Sequence, residues 1–179
     1  VNNKTTKIVI TGAESTGKSI LSVAMAKHYD AIWIPELARD YVEKLDRHYT
    51  YNDIELIARK QIEIEQSLSP ETSIVFFDTW LVITKVWFEF VFGQSPSWLH
   101  DYISASNIDL FLLCDIDIPW EADPVRENGG ETRKILHETY INELSKYGFN
   151  YKIVSGKDEK RTQNAINIVN DLLKSANKK

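Results

Sequence analysis

The sequence predicts an α/β fold in three layers, a five-stranded parallel sheet with helices on both faces. Two observations predict it. Short unbroken apolar runs alternate with longer segments of helical periodicity, the pattern of strands covered on both sides. Hydrophobic residues make up 43% and charged residues 26% of 179, globular proportions in a chain long enough to bury a core without metal or disulfide staples. No internal repeat or linker interrupts the pattern, so residues 1–179 are expected to form a single domain.

The elements follow in order. Lys7–Thr11 is a short apolar strand, Gly12–Ser19 a loop, and Ile20–Tyr29 a helix. Ala31–Ile34 is a strand stopped by Pro35, which cannot donate to a ladder. Glu36–Leu45 is a helix with Leu37, Ala38, Tyr41, Val42 and Leu45 on one stripe, and Asn52 and Asp53 cap a helix reaching Gln66. Ser73–Phe77 is a continuous apolar strand ending at Asp78. Trp80–Phe92 is apolar nearly all round, which predicts burial on most sides. Ser97–Ala105 is a helix, Leu110–Cys114 a strand, and Pro119–Gly130 a polar loop. Thr132–Tyr147 is an amphipathic helix closed by Gly148, Tyr151–Val154 the fifth strand, and Asp158 caps the last helix.

Composition excludes several classes of function. With 26 acids against 21 bases the net charge is −5, so a general nucleic-acid partner is not expected. A single cysteine, Cys114, rules out an intrachain disulfide and is expected to be inert packing. The lack of an 18-residue apolar run or a signal-peptide core predicts a soluble, cytoplasmic protein without a membrane partner. The four histidines show no metal spacing. Oligomeric state is left open.

The strongest chemical signal is Gly12-Ala13-Glu14-Ser15-Thr16-Gly17-Lys18-Ser19, which matches G-x-x-x-x-G-K-S between a strand and a helix. Two glycines let successive N–H groups turn toward phosphate oxygens, and the helix that follows adds its positive end. Lys18 is expected at the terminal phosphates, the Ser19 hydroxyl on Mg²⁺, and Ile20 at the end of the cradle. The cofactors implied are ATP and Mg²⁺, and the fold becomes that of a P-loop NTPase or kinase. A guanine-reading N/T-K-x-D is absent after the fourth strand, which argues against a GTPase. A motor ATPase usually needs a longer chain and an arginine finger supplied in trans. Arg126 and Arg133 bracket Glu127-Asn128-Gly129-Gly130, and this predicts a lid loop over about 119–133 that brings guanidinium groups to the transferring phosphoryl.

Four segments carry a more specific resemblance: Thr11–Ser19, Ile34-Pro-Glu-Leu-Ala-Arg39, Phe77-Asp-Thr79 and Cys114-Asp-Ile-Asp-Ile-Pro-Trp120. In order and spacing the chain resembles the ribosylnicotinamide kinase domain of NadR-type proteins. The resemblance implies transfer of the ATP γ-phosphate to the ribose 5′-hydroxyl of nicotinamide riboside, a small-molecule nucleoside, in NAD salvage. Many relatives of this type also carry DNA-binding and adenylyltransferase domains; neither is present in these residues, so those activities are not expected. A kinase for another nucleoside or nucleotide, or a nucleotide-dependent switch, are the alternatives.

Roles can then be assigned. Asp78 ends an apolar strand at the Walker-B position, where a carboxylate holds Mg²⁺ directly or through water; Asp115 is its rival, and the resemblance favours Asp78. Glu36, at the tip of the second strand, and Asp78 are both candidates for the base that takes the hydroxyl proton. Arg39, on the same side of its helix as Glu36, is expected to hold Glu36 in place or touch the phosphoryl, and Gln61, suited to the core or the cleft, is expected in the cleft; Glu36, Arg39, Gln61 and Asp78 are the expected substrate-binding residues. The pyridinium of the implied substrate favours aromatic faces, and Trp87 is the expected stacking ring. Ser155, Gly156 and Arg161 are expected beside adenine.

Overall fold

The computed structural model describes residues 5–121 and 128–176. Five strands, β1 (Thr6–Thr11), β2 (Ile32–Ile34), β3 (Ile74–Asp78), β4 (Leu110–Cys114) and β5 (Tyr151–Val154), form one parallel sheet in the order β2-β3-β1-β4-β5. Among the described residues, seven helices connect and cover them: α1 (Lys18–Tyr29), α2 (Leu37–Glu43), α3 (Tyr51–Gln66), α4 (Leu81–Phe92), α5 (Ser97–Ala105), α6 (Gly130–Lys146) and α7 (Asp158–Ala176). The three-layer α/β prediction is met. Alternation along β1 explains the layers. Ile8 and Ile10 face a core built with Leu21 and Met25 of α1 and Ala165 and Val169 of α7. Val9 faces the opposite core, which includes Ile54, Leu81, Phe88, Leu99 and Leu144 from α3, α4, α5 and α6.

Strand order decides where a site can form. β1 lies between β3 and β4, so connections leave it in opposite directions and open a crevice at the carboxyl ends of the strands. Register puts Ile10 beside Asp78 and Ile34 beside Phe77, so the loop after β1, Glu36 and Asp78 converge on that edge.

Five local expectations need correction. The cap of α3 is Thr50, whose hydroxyl accepts from the Asp53 N–H while the Asp53 carboxylate accepts from the Thr50 N–H, a reciprocal capping box. The stripe on α2 is only partly covered, because none of its residues is buried. On α4, Phe90 and Val91 are 51% and 44% exposed, since packing partners cover the other sides of the helix only. The polar loop ends at Gly129, with α6 already begun at Gly130; Gly129 packs beneath the Trp120 ring, which a Cβ there would meet at 3.2 Å. In addition, Asp158 is the first residue of α7 rather than its cap, and the Lys157 carbonyl opens that helix. No described helix is long and apolar enough to cross a membrane.

Candidate active site

The loop between β1 and α1 forms a tight anion cradle. Gly12 adopts φ +142°, and a Cβ there would lie 2.9 Å from the Cys114 carbonyl oxygen, so both conformation and space require glycine. Ser15 and Gly17 are also left-handed, at φ +58° and +75°. Gly17 gives α1 no side-chain cap and the first turn contains no acidic residue, which leaves its N–H groups and positive end available to an anion. Lys18 Nζ donates to the Ala13 carbonyl at 2.9 Å, folding the ammonium back across the loop. Ile20 is 79% exposed, on the outer side of α1.

Asp78 closes the floor at the end of β3. It is 2% exposed, yet neither carboxylate oxygen has a hydrogen bond. Burial pushes its carboxyl above the ordinary range, with Ser19, Lys18 and Ser22 pulling it back. The Ser22 hydroxyl is itself committed to the Ser19 carbonyl at 2.9 Å. Thr79 follows in a left-handed conformation, φ +68°, unusual for a β-branched residue and worth about 1–3 kcal/mol of strain. This bend directs the chain from β3 into α4, and its N–H donates to the Ile10 carbonyl at 2.9 Å, pinning the end of β3 to β1.

Glu36 stands at the start of α2, across from Lys18. Burial raises its carboxyl; Asp78 and Glu14 add to the rise, while Lys18 and Arg39 oppose it. Glu14, Glu36 and Asp78 therefore share one electrostatic neighbourhood with Lys18. Tyr140 of α6, taken from sequence only as part of an apolar stripe, belongs beside them: it is 6% exposed, packs with Ala13 and Val86, and its phenol is raised by burial and by Glu14 and Glu36. Its aromatic periodicity gave no signal of that position.

The other expected residues distribute as follows. Arg39 Nε donates to Glu43 at 2.8 Å, an i,i+4 pair. Gln61 is buried with its amide oxygen accepting from Thr84 at 2.8 Å, which makes it a bridge between α3 and α4. Trp87 is half-buried, edge-on to Tyr49 at 4.7 Å. Arg133 and Arg161 are buried, 7% and 4% exposed, with their guanidinium groups against the cradle loop. The Ser155 carbonyl accepts from Asn164, and the Gly156 N–H donates to Asp117 at 2.6 Å. At the ends of the predicted lid, the Glu14 carboxylate accepts from the Asn128 N–H and side chain, both at 2.9 Å, and the Ser15 hydroxyl accepts from the Glu121 N–H at 2.8 Å. Arg126 lies outside the described residues. Cys114 is fully buried and burial pushes its thiol up to about 11, so it is an un-ionised packing group at neutral pH.

Among the described residues no group of three or more His, Cys, Asp or Glu side chains is placed to hold a metal. Magnesium does not require one, because it is commonly held by one or two carboxylates together with substrate phosphates. The two unpartnered oxygens of Asp78, close to Ser19, fit that mode.

A family model described as an AAA domain matches residues 7–161. The chain belongs to that AAA domain family. It is 26% identical over 144 residues to the trifunctional NAD biosynthesis/regulator protein NadR of Salmonella typhimurium strain LT2, covering 78% of this chain and 35% of that protein. The NadR of Escherichia coli strain K12 is 24% identical over 173 residues, covering 93% of this chain and 42% of that protein. The chain thus spans well under half the length of these curated relatives. Among solved structures, NadR in complex with NR superposes with a TM-score of 0.75 at 22% identity, over 96% of this chain and 51% of that one. NadR in complex with NAD and AMP-PNP gives 0.76 at 23%, over 96% and 50%. Thymidylate kinase from Ehrlichia chaffeensis gives 0.70 at 15%, over 94% and 99%. This member of the AAA domain family has the P-loop kinase fold, and its resemblance to NadR is borne out.

Proposed function

We propose that the chain transfers the γ-phosphoryl group of ATP to the 5′-hydroxyl of nicotinamide riboside, giving nicotinamide mononucleotide and ADP. The observation that carries this reading is the meeting of Lys18, Glu36 and Asp78 at the carboxyl edge of the sheet, one cation acting on a buried and a half-buried acid. The similarity to NadR in complex with NR supports the choice of acceptor. NadR in complex with AMP-PNP, an ATP analogue, supports the choice of donor.

In this reading the cradle N–H groups and Lys18 hold the β- and γ-phosphates. Ser19 and Asp78 are the residues that would hold Mg²⁺, which supplies charge neutralisation at the phosphate oxygens. Glu36 takes the 5′-hydroxyl proton, for which a carboxyl raised by burial is suited. The 5′-oxygen bonds to the γ-phosphorus, the bond from that phosphorus to the bridging oxygen breaks, and ADP leaves. Trp87 of α4, packed edge-on against Tyr49 from the segment before α3, offers its ring to the cationic base.

The test is ADP release with nicotinamide riboside, with pyrimidine and purine nucleosides, with thymidine monophosphate, and with no acceptor, using Lys18→Ala as the inactive control. Turnover should depend on nicotinamide riboside. A rate at the acceptor-free level with that substrate, but not with another, would reassign the acceptor. Nucleotide binding without turnover on any acceptor would make the protein a switch. Trp87→Ala is expected to raise the riboside KM about tenfold, and an unchanged KM removes Trp87 from the acceptor pocket.

A further inference from the structure

An anion cradle has a structural cost that is easily overlooked. When consecutive N–H groups turn inward to phosphate, the carbonyls of the same peptides turn outward, and each needs a donor if buried. Every carbonyl from Ala13 to Gly17 has one. Ala13 accepts from the Thr16 hydroxyl at 2.8 Å and from Lys18, and Gly17 accepts from the Leu21 N–H of α1 at 3.0 Å. The three between them are met from far along the chain. Arg133 donates from Nε to Glu14 at 3.1 Å and from Nη2 to Ser15 at 3.0 Å, and Arg161 donates from Nη1 to Thr16 at 2.5 Å.

Both guanidinium groups also grip the segment after β4. Arg133 Nη1 donates to the Ile118 carbonyl at 2.9 Å. Arg161 Nη2 donates to the Asp115 carbonyl at 3.3 Å and pairs with the Asp117 carboxylate. Asp117 in turn accepts the Gly156 N–H from the loop after β5, whose carbonyl takes Arg161 Nε at 2.6 Å. The Asp-Ile-Asp-Ile stretch from 115 to 118, part of one of the segments that carry the family resemblance, is the other jaw of this clamp.

We propose that Arg133, Arg161 and Asp117 are positioning residues of the nucleotide site, holding the outward carbonyls of Glu14, Ser15 and Thr16 so that the cradle keeps its N–H groups turned toward phosphate. Three of the five N–H donors of Arg133 and four of those of Arg161 go to the protein, so both act through the loop. The inference rests on the nucleotide half of the kinase reading and not on its acceptor.

The test is the Kd for ADP, measured by calorimetry on the folded chain without acceptor, for Arg133→Ala, Arg161→Ala and Asp117→Asn. The two arginine variants should bind ADP about tenfold or more weakly, the loss of charge-assisted bonds to the loop. Asp117→Asn keeps both arginines and should weaken ADP about threefold to tenfold, a result that stands even if Arg161→Ala fails to fold. A purely scaffolding role would lower Tm and leave the Kd of the folded protein unchanged. Contact with the transferring phosphoryl alone would lower kcat with ADP affinity intact. Wild-type ADP affinity in Arg133→Ala or in Asp117→Asn overturns the proposal. Absence of riboside turnover with normal ADP binding would sink the acceptor assignment alone.

Discussion

Two buried aspartates, Asp53 in the first turn of α3 and Asp78 at the end of β3, are 3% and 2% exposed and are handled in opposite ways. At the start of α3, Asp53 accepts from Arg47 Nη1 and Nη2 at 2.7 and 3.0 Å, from the Thr50 N–H and hydroxyl, each at 2.7 Å, and from the Tyr41 hydroxyl at 3.0 Å. The Arg47 guanidinium first, then Thr50, hold its carboxyl well below the usual range. At the end of β3, Asp78 has no such bond and burial holds its carboxyl high. A carboxylate that serves the fold is satisfied by the chain itself. One left deficient beside Lys18 and a phosphate cradle is stored cost, recovered when something else meets it.

The sharpest way to break this comparison is to remove each charge. Asp78→Asn is expected to lower kcat on the order of 10²–10³-fold, as loss of a central electrostatic group does. The same substitution should raise the stability of the nucleotide-free protein by about 0.5–2 kcal/mol, since burial costs this charge more than Ser19, Lys18 and Ser22 return. A Tm scan beside the kinetics checks both signs, and a lower Tm for the variant would show that Asp78 is satisfied after all. Asp53→Asn should do the reverse, lowering Tm while leaving kcat near wild type.

Acid titration of Tm sharpens the contrast. Asp78 is raised in the folded state, so the unfolded chain ionises first; stability is lost as pH rises from about 4. Asp53 is depressed, so its contribution is complete above about 4 and lost as pH falls through the folded value. The Asp78→Asn Tm should therefore exceed wild type most at neutral pH and converge with it toward pH 4. The Asp53→Asn Tm should lie below wild type at neutral pH and converge only in stronger acid. Parallel curves with no convergence would remove ionisation as the cause. The smallest effect is expected for Thr50→Ala, which breaks the capping box around Asp53 for about 1 kcal/mol; it should lower Tm by about 2–4 °C and leave ADP binding unchanged.

Much of this molecule is legible in its sequence, for reasons that are local. Apolar runs set β4 and β5 at the boundaries observed, and G-x-x-x-x-G-K-S specifies a cradle because Gly12 has no space for a Cβ and Gly17 must be left-handed. Lys18, Glu36 and Asp78 were accessible because each stands at the carboxyl end of a strand or just beyond, and parallel strands place those ends together. Partner choice was not accessible. Gln61, expected in the cleft, is met by Thr84 across two helices, and Tyr140 becomes a neighbour of Glu36 only through the packing of α6 on α4. Arg133 and Arg161 looked like groups for phosphate and adenine. They reach carbonyls 119 and 145 residues away along the chain. By itself, then, the sequence determined the elements, the parallel sheet and the phosphate cradle, because periodicity and a short loop motif need only near neighbours. The tertiary structure alone decided which buried polar groups are satisfied by the protein and which await a ligand, because hydrogen-bond partners are assigned by strand order and helix packing across distances that spacing does not encode.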